Sequence, residues 1–128
     1  MGEIDRQKIE LGRKGEEIAL KYLTDKGYEL IARNYRFKRF GELDLIMKDG
    51  KYLVFVEVRT KKNTNFGTPL ETVDYTKRRQ ISKMAQLYFV KEKIPEDTFS
   101  RFDVIGIVLP DNAEPKIEHI QDAFIIGD

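Results

Sequence analysis

The sequence contains no cysteine and a single histidine, His119. The lack of cysteine excludes disulfide bonds and thiolate metal sites, and one histidine leaves too few ligands for an ordinary zinc site. A bound metal would therefore be held by oxygen atoms, as Mg²⁺, Mn²⁺ and Ca²⁺ are. No apolar run approaches the roughly 20 residues that span a membrane, and residues 1–10 lack the apolar core of a secretion signal. These absences predict a cytoplasmic protein that does not enter the membrane.

Charge is nearly balanced over the chain but unevenly distributed along it. The formal net charge is +1, yet residues 33–93 contain fifteen Lys or Arg against seven Asp or Glu, and residues 94–128 contain two against eight. Such segregation can guide a polyanion to one face of the protein. Alternatively, the basic and acidic segments neutralise each other in the fold. The charge pattern alone leaves both interpretations open.

The length of 128 residues is enough for one domain with a sizeable core, so a single domain over residues 1–128 is predicted. Hydrophobic periodicity and turn-forming residues divide the chain into its elements. They are a helix over 6–26, strands over 28–36, 41–48 and 51–61, a helix over 74–93, a strand over 99–109 and one or two short strands within 116–126. The order αβββαβ predicts an α/β fold in which helices pack on a mixed sheet.

The stretch "GELDLIMKDGKYLVFVEVRTKK", residues 41–62, is typical of a β-hairpin with Asp49-Gly50 as its two-residue turn. In that register Glu42 lies opposite Glu57, and Asp44 lies diagonal to Glu57 on the same face. The opposite face is predicted to be apolar and carries Leu43, Leu45, Met47, Tyr52, Val54, Val56 and Val58. The hairpin is therefore acidic on one face, at the end farther from its turn.

These carboxylates repel one another unless positive charge lies between them. One remedy is a structural ion-pair cluster with Arg59, Lys61 and nearby basic residues. The other is a divalent cation bound by Asp44 and Glu57, which would activate water and polarise a phosphate. The residues alone leave both remedies open.

Asp44, followed by Glu57-Val58-Arg59 in the next strand, resembles the PD-(D/E)XK nuclease signature, in which two acids bind a metal and a basic residue contacts water or phosphate. Longer stretches between about Leu11 and Val108 resemble the YraN-type family, which is similar to the archaeal Holliday-junction resolvases. They are "GRKGEEIALKYLTDKGY", "ARNYR", "GELDLIMKDGKYLVFVEVRTK", "FGTPLETVDYTKRRQI" and "RFDVIGI". The resemblance implies a restriction-endonuclease-like αβββαβ core, in agreement with the predicted order of elements.

The resemblance implies a core catalytic set of Glu16, Asp44, Glu57 and Arg59. Asp44 and Glu57 would bind Mg²⁺ or Mn²⁺, and Glu16 would complete the metal site. Glu42, in the "GE-x-D" element of the family, would orient a metal ligand or bind the metal through water.

Helical geometry helps to choose Glu16 over its neighbour Glu17. At about 100° per residue, Glu17 faces away from the apolar stripe of the first helix, whereas Glu16 lies at its edge. Glu17 also has Lys21 four residues on as an ion-pair partner. The G-E-x-x-A element of the family, matched by Gly15, Glu16 and Ala19, also favours Glu16.

Arg59 departs from the lysine that these nuclease signatures commonly have. Arginine effectively cannot lose its proton, so Arg59 can orient water or stabilise a phosphate but cannot act as a general base. Lys61, on the same face of the strand, could take the place of the usual signature lysine. Lys77, in the first turns of the second helix, resembles a family lysine that could contact a phosphate near the site.

The remaining candidates for nucleic-acid contact are basic residues beside aromatic ones or on the second helix: Arg36, Arg39 and Arg78. Tyr35, Phe37 and Phe40 alternate with basic residues in a mixture suited to stacking and phosphate contact. Alternatively, Tyr35 and Phe37 belong to the core. Arg79 and Lys83 are expected to face solvent without a further role. Asp103 is expected to hold Arg101 or a strand end.

The leading hypothesis is a divalent-metal-dependent endonuclease that hydrolyses phosphodiester bonds of DNA. The resemblance to resolvases implies branched or single-stranded substrates and a homodimer. The alternative is a catalytically inactive nucleic-acid-binding module, which would keep salt-sensitive binding through the same basic surface. A third interpretation is a structural partner protein with its acids in ion pairs. Dependence of activity on metal and on Asp44 distinguishes the nuclease from both.

Overall fold

The structure, a computed structural model, describes residues 2–65 and 67–124. In chain order its elements are α1 (Glu3–Asp25), β1 (Glu29–Arg36), a 3-10 turn (Lys38–Phe40), β2 (Glu42–Asp49), β3 (Tyr52–Lys61), a second 3-10 turn (Leu70–Thr72), α2 (Tyr75–Lys91), β4 (Ser100–Val108) and β5 (Lys116–Ile120). The predicted order αβββαβ is confirmed. The closing segment contains one strand, and its predicted continuation through 125 and 126 lies outside the described residues.

The five strands form one mixed sheet in the order β1-β2-β3-β4-β5. β3 and β4 run parallel, joined through α2, and the other neighbouring strands are antiparallel. α1 packs on one face, where Leu23 and Val54 belong to one buried apolar cluster. α2 packs on the opposite face, where Ile81 and Phe55 belong to another. The predicted mixed sheet flanked by helices is therefore confirmed.

α1 extends beyond the sheet at its N-terminal end. It begins at Glu3 rather than at residue 6 as predicted, and residues 3–10 are exposed. Its buried residues, Gly15, Ala19 and Leu23, recur at the spacing of four that places them on one face. Within the part of the chain that the structure describes, neither helix has an apolar stretch long enough to cross a membrane.

The hairpin turn lies one residue later than predicted. Asp49 pairs with Tyr52, so Gly50 and Lys51 form the turn. Asp49 remains in β2, where Arg101 holds its carboxylate with Nη2 2.9 Å from Oδ2. A contact from β4 therefore competes with the local turn preference of the Asp49-Gly50 pair.

The corrected register changes the neighbour of Asp44. The ladder between β2 and β3 ends at the Leu45–Val56 pair. One further step in this register brings Asp44 opposite Glu57, where the predicted register had placed Phe55. Asp44 and Glu57 are therefore aligned directly across the two strands, whereas the predicted register placed them diagonally.

β2 also rotates about its own axis at Asp44. Leu43 packs in the apolar cluster beneath α2, whereas Leu45 packs in the cluster beneath α1. Strict alternation would place both on one face, so the predicted position of Leu43 is wrong. In the neighbouring strand β1, Tyr35 pairs with Leu43 and Arg33 pairs with Leu45. Asn34, between them, has a left-handed φ of 52°. The irregularities of the two neighbouring strands coincide, and they change the direction in which residue 44 projects.

Candidate active site

Asp44 lies where β2 and β3 stop pairing. Its Oδ2 accepts a hydrogen bond from the main-chain N of Val58 at 2.8 Å. Burial raises the pKa of Asp44 to about 8, and the negative charge of Glu57 contributes to this increase. The hydrogen bond from Val58 and the ammonium group of Lys77 lower the pKa, but they do not offset burial. Asp44 therefore lacks enough surrounding positive charge to keep its carboxyl group ionised at neutral pH.

Glu57 is 6% exposed and lies between two cations. Its Oε2 is 2.9 Å from Nε of Arg59 and 3.7 Å from Nζ of Lys77. Among the described residues, no acceptor is aligned for a hydrogen bond with the buried Nε of Arg59. Its contact with Glu57 is therefore an ion pair and not a hydrogen bond. Asp74 caps α2 by accepting from the main-chain N of Lys77 at 2.9 Å, which fixes the position of Lys77. The structure thus brings together three predicted site residues: Glu57, Arg59 and Lys77.

Gly15 allows α1 to approach β3 and bring Glu16 to the strands. A Cβ atom at position 15 would lie 1.7 Å from Oγ1 of Thr60, so any side chain would collide with β3. Glu16, the next residue, is half-buried and accepts a hydrogen bond from Nδ2 of Asn34 at 2.9 Å. The helix and β1 therefore position this carboxylate together.

The Glu16 carboxylate lies in the negative field of two other acids. Burial raises the pKa of Glu16, the hydrogen bond from Asn34 lowers it, and the charges of Asp44 and Glu42 raise it. The net direction is upward. Glu16 therefore shares with Asp44 a site where negative charge is poorly compensated.

Glu17 is exposed, as predicted from helical geometry. Its predicted partner is wrong, because Glu17 forms its ion pair with Arg33 on β1. Lys21 instead pairs with Asp25, one turn farther along α1, at 2.9 Å.

Glu42 begins β2 and lies opposite Arg36 on β1. The prediction that it faces Glu57 is wrong, because the register of β2 with β3 aligns Glu57 with Asp44 instead. Its Oε2 accepts a hydrogen bond from Nη2 of Arg36 at 3.1 Å. The preceding residue, Gly41, has a φ of 125°, and a Cβ atom there would lie 2.8 Å from Nε2 of Gln80. The positive φ and the close approach of Gln80 both favour glycine at this position.

The four carboxylates do not form a complete metal site. Among the residues that the structure describes, no three Asp, Glu or His side chains are arranged to hold a metal ion. The donor set nevertheless fits a hard divalent cation, because its ligands are oxygens and Asp44 lacks a sufficient counter-charge beside Glu57. Binding by both acids would require Glu57 to give up part of its contact with Arg59 or Lys77.

A groove of about 780 Å³ runs between α1 and β3. Its lining includes one acid and four basic side chains: Glu16, Lys8, Arg59, Lys61 and Lys62. Nζ of Lys61 also donates to the main-chain O of Gly67 at 3.3 Å, which connects the loop after β3 to the groove. A groove with this charge is suited to a phosphate backbone.

The predicted nucleic-acid-binding residues do not all lie in this groove. Lys61 lines it, whereas Lys77 contacts Glu57. Arg36 is held by Glu42, and Arg39 is exposed in the first 3-10 turn. Arg78 is half-buried on α2, and its Nε has no hydrogen-bond acceptor among the described residues.

Two residues at the site were missed by the sequence reasoning. Asn34 donates the hydrogen bond that holds Glu16. It could have been recognised because asparagine is disfavoured in strands and enriched in left-handed conformations, and here it interrupts a segment of strand-forming residues. Lys8 lines the groove. It could have been recognised because it lies three residues before Leu11, which places the two side chains on the same face of α1.

Asp103 is fully buried and belongs to a separate polar cluster. Its carboxylate lies 3.0 Å from Nε of Arg101 and 2.8 Å from Nε2 of His119, and it accepts from the Tyr28 hydroxyl at 3.1 Å. Burial alone would raise the pKa of Asp103, but hydrogen bonds from His119 and Arg101 lower it below its usual range. The expected pairing of Asp103 with Arg101 is confirmed.

Comparison with known proteins identifies relatives over most of the chain. Residues 15–107 match the model of the family described as "Uncharacterised protein family UPF0102". A UPF0102 protein of Geotalea daltonii is 50% identical over 114 residues, covering 89% of this chain and 88% of that protein. A UPF0102 protein of Rhodococcus opacus is 43% identical over 116 residues, covering 91% of this chain and 97% of that protein.

A relative from Legionella pneumophila is 43% identical over 118 residues, covering 92% of this chain and 97% of that protein. The segment matched by the family model contains the four acids and both cations that contact Glu57. The description of the family states no reaction. The YraN-type resemblance is confirmed: the chain belongs to the UPF0102 family.

Proposed function

We propose that this protein is a divalent-metal-dependent nuclease of the PD-(D/E)XK type that hydrolyses phosphodiester bonds of DNA. The observation that carries the proposal is the environment of Asp44, a carboxyl group whose pKa is raised by burial and by Glu57. Structural acids in protein interiors normally have their counter-charges beside them, as Asp103 has here. The deficit of positive charge at Asp44 supports a site that a cation from solution completes.

Asp44 and Glu57 would hold Mg²⁺ or Mn²⁺ through their carboxylate oxygens, with Glu16 and Glu42 close to this pair. Such a cation supplies a Lewis acid that polarises the phosphate and lowers the pKa of bound water. The charges of Asp44 and Glu42 raise the pKa of Glu16, and this negative potential favours retention of a cation.

Arg59 and Lys77 would bind the scissile phosphate. Both already contact Glu57, so they lie beside the carboxylate that the cation would share. Arg59 remains protonated and therefore stabilises negative charge on the phosphate rather than accepting a proton. Lys61 and Lys8, which line the groove, would bind flanking phosphates. Selection of branched or single-stranded DNA and a homodimer belong to the same proposal, through the resemblance to resolvases.

A nucleic-acid-binding module without catalysis is the second candidate. The ion pairs of Glu57 with Arg59 and Lys77 favour it, because they supply Glu57 with positive charge without a metal. In this case the acids would orient the basic side chains of the groove, and DNA binding would not depend on divalent ions.

The test is cleavage of labelled single-stranded, duplex, flap and four-way-junction DNA in Mg²⁺, in Mn²⁺ and in EDTA. We expect metal-dependent cutting that is lost in Asp44→Asn and Glu16→Gln. Glu17→Gln is the matched control, because it neutralises the adjacent acid of the same helix, which is exposed and outside the site. It should cut at the wild-type rate.

The three outcomes separate the candidates. Metal-dependent cutting that Asp44→Asn lacks and Glu17→Gln retains supports the nuclease. DNA binding without cutting of any of the four substrates supports the binding module. Cutting that persists unchanged in Asp44→Asn contradicts the assignment of this site.

A further inference from the structure

The segment after β1 presents an aromatic ring to solvent on a firmly held backbone. Phe40 is 47% exposed, whereas Phe37 in the same segment is buried. The main-chain N of Phe40 donates to O of Phe37 at 2.8 Å, and O of Phe40 accepts from Nε2 of Gln80 on α2 at 2.9 Å. Gly41 approaches α2 so closely that a Cβ atom there would lie 3.1 Å from Sδ of Met84. The exposure of Phe40 is thus determined by tight local packing rather than by a loose loop.

A row of side chains on α2 extends from this ring. Tyr75, Arg79 and Lys83 are spaced four residues apart, and all three are exposed. Nη1 of Arg79 donates to the hydroxyl of Tyr75 at 2.9 Å, and its guanidinium carbon is 5.6 Å from the centre of the Tyr75 ring. Nζ of Lys83 lies 5.2 Å from the centre of the Phe40 ring. Tyr75, Arg79, Lys83 and Phe40 therefore form one strip, called here the α2 ridge.

The dimensions of the α2 ridge suit an extended chain of nucleotides. The eight helical steps from Tyr75 to Lys83 correspond to about 12 Å, or three to four steps at the roughly 3.4 Å per nucleotide of a stacked strand. A groove of about 460 Å³ lies beside the ridge, lined by Arg79, Gln80, Ser82, Lys83 and Gln86.

The surface around the α2 ridge is basic. The sequence of α2 contains five Lys or Arg and no Asp or Glu, and the segment over 36–41 contains three basic residues and no acid. Lys77, on the same helix, reaches Glu57. α2 therefore carries positive charge both on the α2 ridge and beside the carboxylates, and this charge is complementary to a polyanion.

We propose that the α2 ridge binds unpaired nucleotides of a DNA substrate. This rests on the proposed function and names the part of the DNA that the surface recognises. Bases stack on Phe40 and Tyr75, while Arg79 and Lys83 neutralise neighbouring phosphates. Bases inside a duplex are already stacked on each other, so their faces cannot reach these rings. Arg79 and Lys83 face outward, as predicted, but they lie over aromatic rings instead of pointing freely into solvent.

The test measures binding in EDTA, so that it does not depend on cleavage. Anisotropy of a fluorescein-labelled oligothymidylate is compared with that of the same strand annealed to its complement. Phe40→Ala should weaken binding of the single strand about tenfold and change binding of the duplex less than about twofold. Because the chain contains no tryptophan, Phe40→Trp adds one fluorophore, whose emission the single strand should quench.

Phe99 supplies the matched control. It is 54% exposed and has Nζ of Lys51 4.4 Å from its ring centre, but it precedes β4 and pairs with Leu53 near the hairpin turn. Leu53 is six residues before Arg59 in β3, so Phe99 lies about 20 Å along the strand from the candidate site. Phe99→Ala should bind both DNAs as the wild type does, and oligothymidylate should leave the emission of Phe99→Trp unchanged.

A selective loss of single-strand binding in Phe40→Ala, with quenching in Phe40→Trp, supports the proposal. An equal loss for both DNAs, or no loss for either, overturns it. If cleavage requires metal and Asp44 but Phe40→Ala binds the single strand normally, the nuclease stands and the ridge assignment fails. If nothing is cut but the selective loss occurs, the ridge stands as part of a binding module.

Discussion

Replacing Asp44 with asparagine should stabilise the protein at neutral pH and remove its response to divalent metal. The side-chain oxygen of asparagine can still accept the hydrogen bond from the main-chain N of Val58. The substitution removes the ionisable group that burial and the charge of Glu57 disfavour in its charged form. A gain in stability is the opposite of what removal of one partner from a buried ion pair produces.

The magnitude follows from the pKa of Asp44, which is about 8 in the folded protein against an ordinary value of 3.8. Because the folded-state value is higher, the folded protein keeps a proton that the unfolded chain has lost. The wild type therefore loses stability as the pH rises from about 4 to about 8. At neutral pH the loss is at most about 4 kcal/mol. Relaxation around the site reduces it, and we expect about 2 kcal/mol, or roughly 8 °C in Tm.

The assay is thermal unfolding followed by circular dichroism at several pH values between about 4 and 8, in EDTA and in Mn²⁺. The advantage of Asp44→Asn in EDTA should be near zero at the acidic end and should grow with pH. Mn²⁺ should raise the Tm of the wild type and leave that of the variant unchanged. Asp25→Asn is the control, because this exposed acid pairs with Lys21 on the surface of α1, and its loss should change stability by less than about 0.5 kcal/mol.

A lower Tm for Asp44→Asn than for the wild type at neutral pH in EDTA would refute this reasoning. Asp44 would then be an ionised member of a structural ion-pair cluster. A gain that stays constant across the pH range would show that ionisation is not its origin. An equal response of both proteins to Mn²⁺ would place the metal away from Asp44.

Further predictions concern the residues that hold the site and the core. Gly15→Ala should reduce stability by about 2 kcal/mol in urea unfolding, because its Cβ collides with Thr60, and Thr60→Gly in the same chain should restore part of the loss. Asn34→Gly should keep the left-handed backbone and the Tm, but it should reduce metal-dependent cutting because Glu16 loses its hydrogen bond. Asn34→Ala should reduce cutting and also lower the Tm by a few degrees. The lowered pKa of Asp103 adds stability that is present above the unfolded value of 3.8 and is lost as the pH falls through the folded value. Asp103→Asn should therefore lose about 3 kcal/mol at neutral pH and show a weaker acid transition in pH-dependent unfolding.

The fold could be predicted because the signals for its elements are local. α2 ends before Pro95, and the apolar residues of the strands recur with the period of two. The hairpin turn could not be located to the residue, because Asp49 is kept in β2 by Arg101, which lies far away in the chain. Turn preference is a property of neighbouring residues and contains no information about such a contact.

The sequence predicted which acids lie near one another better than it predicted how they are arranged. The family resemblance placed Glu16, Asp44 and Glu57 together, and the structure brings these acids within electrostatic reach of one another. The rotation of β2 at Asp44 depends on how β1 and β2 pair, and Asn34 marks it in the neighbouring strand. A pattern of alternating residues in one strand cannot reveal a distortion that two strands share.

The order of elements along the chain has a consequence for folding. α1, β2 and β3, which contain all four acids of the site, leave the ribosome before α2. Until α2 docks, Glu57 lacks Lys77, and the acids repel one another with less compensation. Docking of α2 is therefore driven by charge attraction as well as by apolar packing of Ile81 against the sheet. High salt screens that attraction, so we expect it to slow the last stage of refolding more than the formation of the α1–β3 unit.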